Sequence, residues 1–174
     1  MGIIRSLKGF TPELGKDCFV AENAALIGEL KTGDQCSFWY GAVLRADVHS
    51  ITLGNKVNIQ DNATVHCTYE KYPTVIGNNV SVGHNAVIHG CTIHDNVLVG
   101  MGAIIMDNCV VEEGCIIAAG TVVTQGTHLP AGTLWAGVPA KNRGPVPERL
   151  RTGEIERIAN NYMMYSNWYK NGDE

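Results

Sequence analysis

His66, His84 and His89 are the residues whose type and spacing invite chemistry. A neutral imidazole binds a metal ion, and the same ring moves a proton near neutral pH. His84 and His89 stand five residues apart in Gly83-His84-Asn85-Ala86-Val87-Ile88-His89-Gly90-Cys91. Two side chains on one helical face would be three or four apart. The polar companions are Arg45 and Asp47 in Leu44-Arg45-Ala46-Asp47, and Gln60 and Asp61 in Asn58-Ile59-Gln60-Asp61. Whatever positions these groups must repeat with the period of their surroundings, which is six.

From Val20 a large apolar residue recurs at every sixth position. The series runs Val20, Leu26, Thr32, Phe38, Leu44, then Leu53, Ile59, Val65 after a short insertion. It continues Ile76, Val82, Ile88 after a longer one, and Ile93 through Leu129 after a single five-residue step. Only Thr32 breaks the rule. Four residues further on, mostly small residues recur, among them Ala24, Cys36, Ala42, Ala63, Ala86, Thr92, Ala103, Cys109 and Cys115. The positions between are rich in Gly, Asp, Asn and His, which tolerate left-handed turns. This is the hexapeptide pattern of a parallel β-helix, in which three hexads close one triangular coil and stacked coils share a core. Eighteen hexads predict about six coils.

The expected fold is therefore all-β with one C-terminal helix. Residues 1–140 form the β-helix, entered through a lead-in over residues 1–17. Residues 141–174 form a hinge at Gly144-Pro145-Val146-Pro147 and a helix packed along the prism, within one domain. Ile155, Ile158, Ala159, Tyr162, Tyr165 and Tyr169 follow helical spacing, with Thr152 as N-cap and Asn171-Gly172 as stop.

The repeat also serves as a ruler. It places His66 and His89 on one edge of the prism, about 4.8 Å apart on successive coils. Two imidazoles at that separation can share one metal ion with bonds of about 2.0–2.1 Å. Arg45 falls one coil below His66, with Asp47 beside it. His84 falls on the previous edge, one coil above Asp61, with Gln60 adjacent. A hexad side is on the order of 15–20 Å, so one prism cannot bring His84 to the other two. A site using all three is expected to lie between two chains. His49, His94 and His128 are read as ordinary turn residues.

Composition narrows the partners. The net charge is −4 and no basic cluster is present, which excludes a nucleic-acid or anionic-membrane partner. No run is long enough to span a bilayer, and the N-terminus carries no apolar leader. Six cysteines without a Cys-x-x-Cys pair predict reduced residues and a cytoplasmic protein.

Taken together, Leu44–Asp47, Asn58–Asp61, Val65-His66 and Gly83–Cys91 resemble the gamma-class carbonic anhydrases and their close relatives. The likeness extends over nearly the whole chain, although Gly137-Val138-Pro139-Ala140-Lys141 is shared with hexapeptide acyltransferases. The resemblance implies a homotrimer of left-handed β-helices with a zinc ion, or ferrous iron or cobalt, at each subunit interface. By motif, His66, His84 and His89 are the metal ligands. Arg45 and Asp61 correspond to the interface and bicarbonate-site pair, and Gln60 to the residue that orients the metal-bound water. Tyr162 corresponds to the aromatic hydroxyl near the site, with Tyr165 as the alternative. The implied activity is reversible hydration of CO2 to bicarbonate by a metal-bound hydroxide at the trimer interface.

Two departures predict weak hydration. Val48 stands where well-known active members carry an acidic residue, and the short loop over residues 67–74 offers Glu70 as its only carboxylate. The alternatives are a hexapeptide-repeat acyltransferase, a metal-dependent thioesterase and a non-catalytic trimeric assembly protein.

Overall fold

A computed structural model describes residues 2–171. Short parallel strands wind into a prism with three faces. Face one stacks Phe19–Val20, Ser37–Phe38, Asn58–Ile59, Ser81–Val82, Leu98–Val99, Ile116–Ile117 and Thr133–Ala136. Face two stacks Ile3–Arg5, the starts of Ala25–Thr32 and Val43–Leu53, then Thr64–His66, Val87–His89, Ile104–Ile105 and Val122–Val123. Face three stacks the ends of those two long strands with Thr74–Ile76, Thr92–Ile93, Val110–Val111 and His128–Leu129.

The register is the one the hexad series dictates. Leu44, Val65, Ile88, Ile105 and Val123 pair in turn on face two, and Leu53, Ile76, Ile93, Val111 and Leu129 on face three. All ten are buried, as are the small residues Ala42, Ala63, Ala86, Ala103, Cys109 and Cys115. Burying each large aliphatic side chain stabilises the fold by roughly 1.5–3 kcal/mol. The turns also repeat. At the corner after face one, Gly41, Asn62, Asn85, Gly102 and Gly120 all take positive φ. At the corner after face three, a side-chain ladder takes over. Asn55, Asn78 and Asp95 each accept the backbone N–H of the residue one rung below, Asp34, Asn55 and Asn78 respectively. That ladder needs space, and a Cβ at Gly77 would lie 2.2 Å from Asp95 Oδ1.

Several expectations need correction. Faces one and two each carry seven parallel strands rather than six, because Ile3–Arg5 adds a rung below Ala25 and Thr133–Ala136 adds one above Ile116. The first residues are thus part of the prism, and Glu13 bridges to Lys31. Cys91, not Thr92, fills the small inner position, since the five-residue step moves the inward direction back by one. The supposed hinge includes part of a strand, Lys141–Pro145, which pairs antiparallel with Thr133–Ala136 and ends that sheet.

The helical segment starts at Glu148 after the extended Pro147, four residues before Thr152. It passes through a π-helical turn at Arg151–Glu156 and runs on as Arg157–Asn171. Val146, Leu150 and Ile155 pack against Ile116, Leu98 and Leu134, which draws the start of the helix onto face one. The expected stop at Gly172 lies outside the described residues. Further along, Trp39 meets Tyr162 at 5.2 Å, edge to face, and Tyr169 at 5.5 Å. Among the described residues no helix is long and apolar enough to cross a membrane, and the six cysteines are free thiols.

Candidate metal centre

His66 and His89 pair directly as strand neighbours at the end of face two. Val65 and Ile88, each fully buried, anchor them from inside. Thr74 ties the two rungs together: its hydroxyl donates to the His66 carbonyl and accepts the Gly90 N–H at 3.0 Å. The rings meet with centroids 5.1 Å apart at 62°. His66 Nδ1 and His89 Nε2 face each other across 3.1 Å. The outer nitrogens are both held by carboxylates, His66 Nε2 by Asp47 Oδ1 at 3.0 Å and His89 Nδ1 by Asp107 Oδ1 at 2.7 Å.

This donor set fits a metal ion. An imidazole that gives its outer N–H to a carboxylate turns a lone pair inward. At 3.1 Å the two nitrogens share a hydrogen bond when one carries a proton; when both are unprotonated their lone pairs repel, and a cation between them relieves this. Two tetrahedral ligands with bonds of about 2.1 Å sit roughly 3.4 Å apart, close to the separation seen. Among the described residues, no group of three His, Cys, Asp or Glu side chains converges on one point in this single chain.

Arg45 lies on the His66 edge, where Leu44 pairs with Val65. Its guanidinium donates to Asp47 Oδ2, while Asp47 Oδ1 takes the His66 ring. Burial pushes the Asp47 carboxyl up, but hydrogen bonds from His66 and Arg45 and the Arg45 charge outweigh it and leave its pKa lowered. The Lys8 ammonium donates to the Asp47 carbonyl at 3.1 Å, from a tight turn closed by Leu7 and Phe10. The loop after His66 closes through a Thr68–Tyr72 bridge, and the Glu70 N–H donates to the Val48 carbonyl at 3.3 Å.

The second edge, after face one, carries His84, Asp61 and Gln60. His84 Nδ1 lies 2.9 Å from Asp61 Oδ2 and its Nε2 lies 3.3 Å from the Tyr162 hydroxyl. Burial, then the charge of Asp61, pushes the Tyr162 pKa up to about 12, so the phenol stays protonated at neutral pH. Tyr165 stacks on Tyr162 and Trp168 instead of reaching the histidine. Gln60 is buried, and its amide donates to Asn58 Oδ1 at 3.0 Å, while the Asn58 amide donates to Ser81 Oγ at 2.7 Å. Trp39, Tyr40, Asp61, Tyr162, Tyr165 and Tyr169 help line a 290 Å³ recess beside His84.

The sequence ruler brings together Arg45, His66 and His89 on one edge and Gln60, Asp61 and His84 on the other, as the pairing shows. It places Asp47 on the first edge, as found, but it does not reveal Asp107 behind His89. Asp107 could have been found by the same count, since Ile105 stands one coil above Ile88. Lys8 carries no sequence signal, because its turn precedes the repeat.

A family model described as bacterial transferase hexapeptide (six repeats) matches residues 73–103 and 90–125. A protein of Methanocaldococcus jannaschii named "Probable carbonic anhydrase" is 53% identical over 87% of this chain and 92% of its own. The mitochondrial gamma carbonic anhydrase 2 of Arabidopsis thaliana is 45% identical over 75% of this chain. This chain spans about half the length of the Arabidopsis relatives it matches, 49% and 57% for the first two. Among solved structures, a hexapeptide transferase family protein from Anaplasma phagocytophilum aligns with TM-score 0.91 at 41% identity, over 96% of this chain and 98% of that one.

Proposed function

The chain belongs to the gamma-class carbonic anhydrase family, and on that premise we propose that it hydrates CO2 reversibly to bicarbonate at a metal centre shared between two chains of a homotrimer. The observation that carries this reading is the pair of imidazole nitrogens facing each other across 3.1 Å on one edge. His66 and His89 of one chain and His84 of the next would hold the ion. Membership in the family implies a metal cofactor; zinc, ferrous iron or cobalt each suit three imidazoles. A divalent ion there supplies Lewis acidity, lowering the pKa of a water to about 7.

The trimer is supported by the outer surface of face two. Its column reads Ile3, Ala25, Val43, Thr64, Val87, Ile104 and Val122, with no charged side chain. Ile104 and Met106 are exposed, as is Met101 at the His84 corner. An uncharged outer column lying beside the histidine edge suits burial against a second copy. Around a threefold axis, one edge of each chain meets the other edge of the next.

The remaining residues divide the work. Asp61 accepts the hydrogen bond of His84 Nδ1–H, so the Nε2 lone pair, which faces the Tyr162 hydroxyl in the single chain, is the one that would bind the ion. Asn58 fixes the Gln60 amide, so that Gln60 orients the attacking water. Arg45, anchored on Asp47, would supply a positive charge for bicarbonate and would pair with Asp61 of the neighbouring chain. The Tyr162 hydroxyl, 3.3 Å from His84 Nε2, would turn from that nitrogen to a group bound beside the ion. The released proton leaves through Glu70 or a buffer molecule, the slow step. The free cysteines accord with a cytoplasmic location.

The test is metal content and CO2 hydration of anaerobically purified protein, with and without added imidazole buffer. We expect near-stoichiometric metal and a turnover that rises with imidazole. Full activity in metal-free protein would overturn the reading, as would full metal retention in His66→Ala or His89→Ala.

A further inference from the structure

Resting on the metal site proposed above, we propose that Asp107 is a positioning residue for His89: its carboxylate fixes the ring orientation and tautomer that turn Nε2 towards His66. Ile88 pairs with Ile105, so Met106 stands above His89 and Asp107 above Gly90. From there the carboxylate reaches sideways to the ring, with Oδ1 2.7 Å from His89 Nδ1.

The slot for this contact is built into the backbone. A Cβ at position 90 would lie 2.2 Å from Asp107 Oδ1 and 3.0 Å from Tyr72 Cβ. Gly90 also takes a φ of +52°, a conformation that side chains rarely adopt. Hydrogen bonds hold the next rung in place: Asn108 N–H to the Gly90 carbonyl at 2.8 Å, and Gly126 N–H to the Asp107 carbonyl at 2.9 Å.

Two other corner carboxylates do something different. Asp34 and Asp95 accept backbone N–H groups of the rung below, at 2.8 and 2.7 Å, and so serve the turn itself. Asp107 faces the ring nitrogen Nδ1 of His89 instead, and among the described residues it has no lysine or arginine partner. A carboxylate behind a ligating imidazole fixes its tautomer and raises its basicity, and loss of such a partner typically weakens metal binding about 10–100-fold. Asp47 stands in the same relation to His66, but it also carries Arg45. Asp107 therefore isolates the effect.

The experiment compares Co2+ and Zn2+ affinity, by chelator competition, in the intact wild-type oligomer and in Asp107→Asn, Asp107→Ala and Asp95→Ala. Nitrogen-15 shifts of the histidine rings report the tautomer of His89 directly. We expect both Asp107 variants to lose tenfold or more in affinity and to lose the Nδ1-protonated signature of His89. Asp95→Ala, which removes a corner contact away from the histidines, should keep wild-type affinity. Wild-type affinity and tautomer in both Asp107 variants would overturn the positioning role while leaving the metal site standing. Wild-type protein that binds no metal would remove the site itself, and this role with it.

Discussion

Ile88→Ala, set against Ile93→Ala, separates the stability of the prism from the positioning of its proposed metal ligands. Both isoleucines are buried to within 1% exposure and lie mid-column between aliphatic neighbours, Val65 and Ile105 for Ile88, Ile76 and Val111 for Ile93. Each truncation removes three carbons, a transfer loss of about 2.4 kcal/mol at about 0.8 per group. Continuous backbone ladders above and below keep the coil from collapsing into the gap. A residual cavity of roughly 75 Å³ adds up to about 1.8 kcal/mol. Each variant should therefore lose about 4 kcal/mol per chain, read from urea unfolding at matched protein concentration. Ile88 directly precedes His89, whereas Ile93 stands on face three, away from the histidine edges. Metal affinity, measured by chelator competition under native conditions, should fall at least tenfold in Ile88→Ala and stay within twofold of wild type in Ile93→Ala. Equal losses of affinity in the two variants, or a stability loss below about 1 kcal/mol in either, would refute the reasoning.

Ile104→Glu puts a charge in the middle of the uncharged outer column of face two, and it should shift the proposed trimer towards monomer in light scattering. An unchanged trimer would show that another face makes the contact. Cys18 lies half-buried, and a hydrogen bond from the Cys36 thiol, then one from Thr32 and the charge of Lys170, hold its pKa below the usual thiol range despite the opposing effect of burial. With its pKa lowered, and as the least buried of the six thiols, it should be the first alkylated by iodoacetamide. Cys36→Ala removes the donor, raises the Cys18 pKa and should slow that alkylation several-fold at pH 7, with the two rates converging above pH 9. A rate unaffected by Cys36→Ala across that range would contradict the hydrogen-bonded pair.

The hexad series made the core and register of faces one to three readable, because each inward position has one steric role repeated on every coil. Val65, Ile88 and Ile105 could be stacked by counting alone, and with them His66 over Arg45 and His89 over His66. The count failed where the chain leaves the period. Ile3–Arg5 is a full rung, yet three residues cut off by a long loop show no periodicity. The start of the helix is set by Leu150 and Ile155 meeting Ile116, a tertiary contact that overrides the local N-cap signal at Thr152. The corner carboxylates escaped for a different reason. The period fixes which residue stands at a corner, but not whether Asp107 turns to a backbone N–H, as Asp95 does, or to a ring. The Gly90 N–H beneath Asp107 is already given to Thr74 Oγ1, whereas the Asn78 N–H beneath Asp95 donates to that carboxylate, and the period does not encode this difference.

Subunit mixing tests the shared metal centre most directly. His66→Ala and His84→Ala are purified separately, unfolded, and refolded together, with differently tagged chains to verify mixed trimers. Each variant alone should bind almost no metal. In mixed trimers, an interface where the His84→Ala chain supplies His66 and His89 and the His66→Ala chain supplies His84 is complete. Metal binding and CO2 hydration should therefore return in proportion to such interfaces. Verified mixed trimers that remain without metal would contradict a site built from two chains.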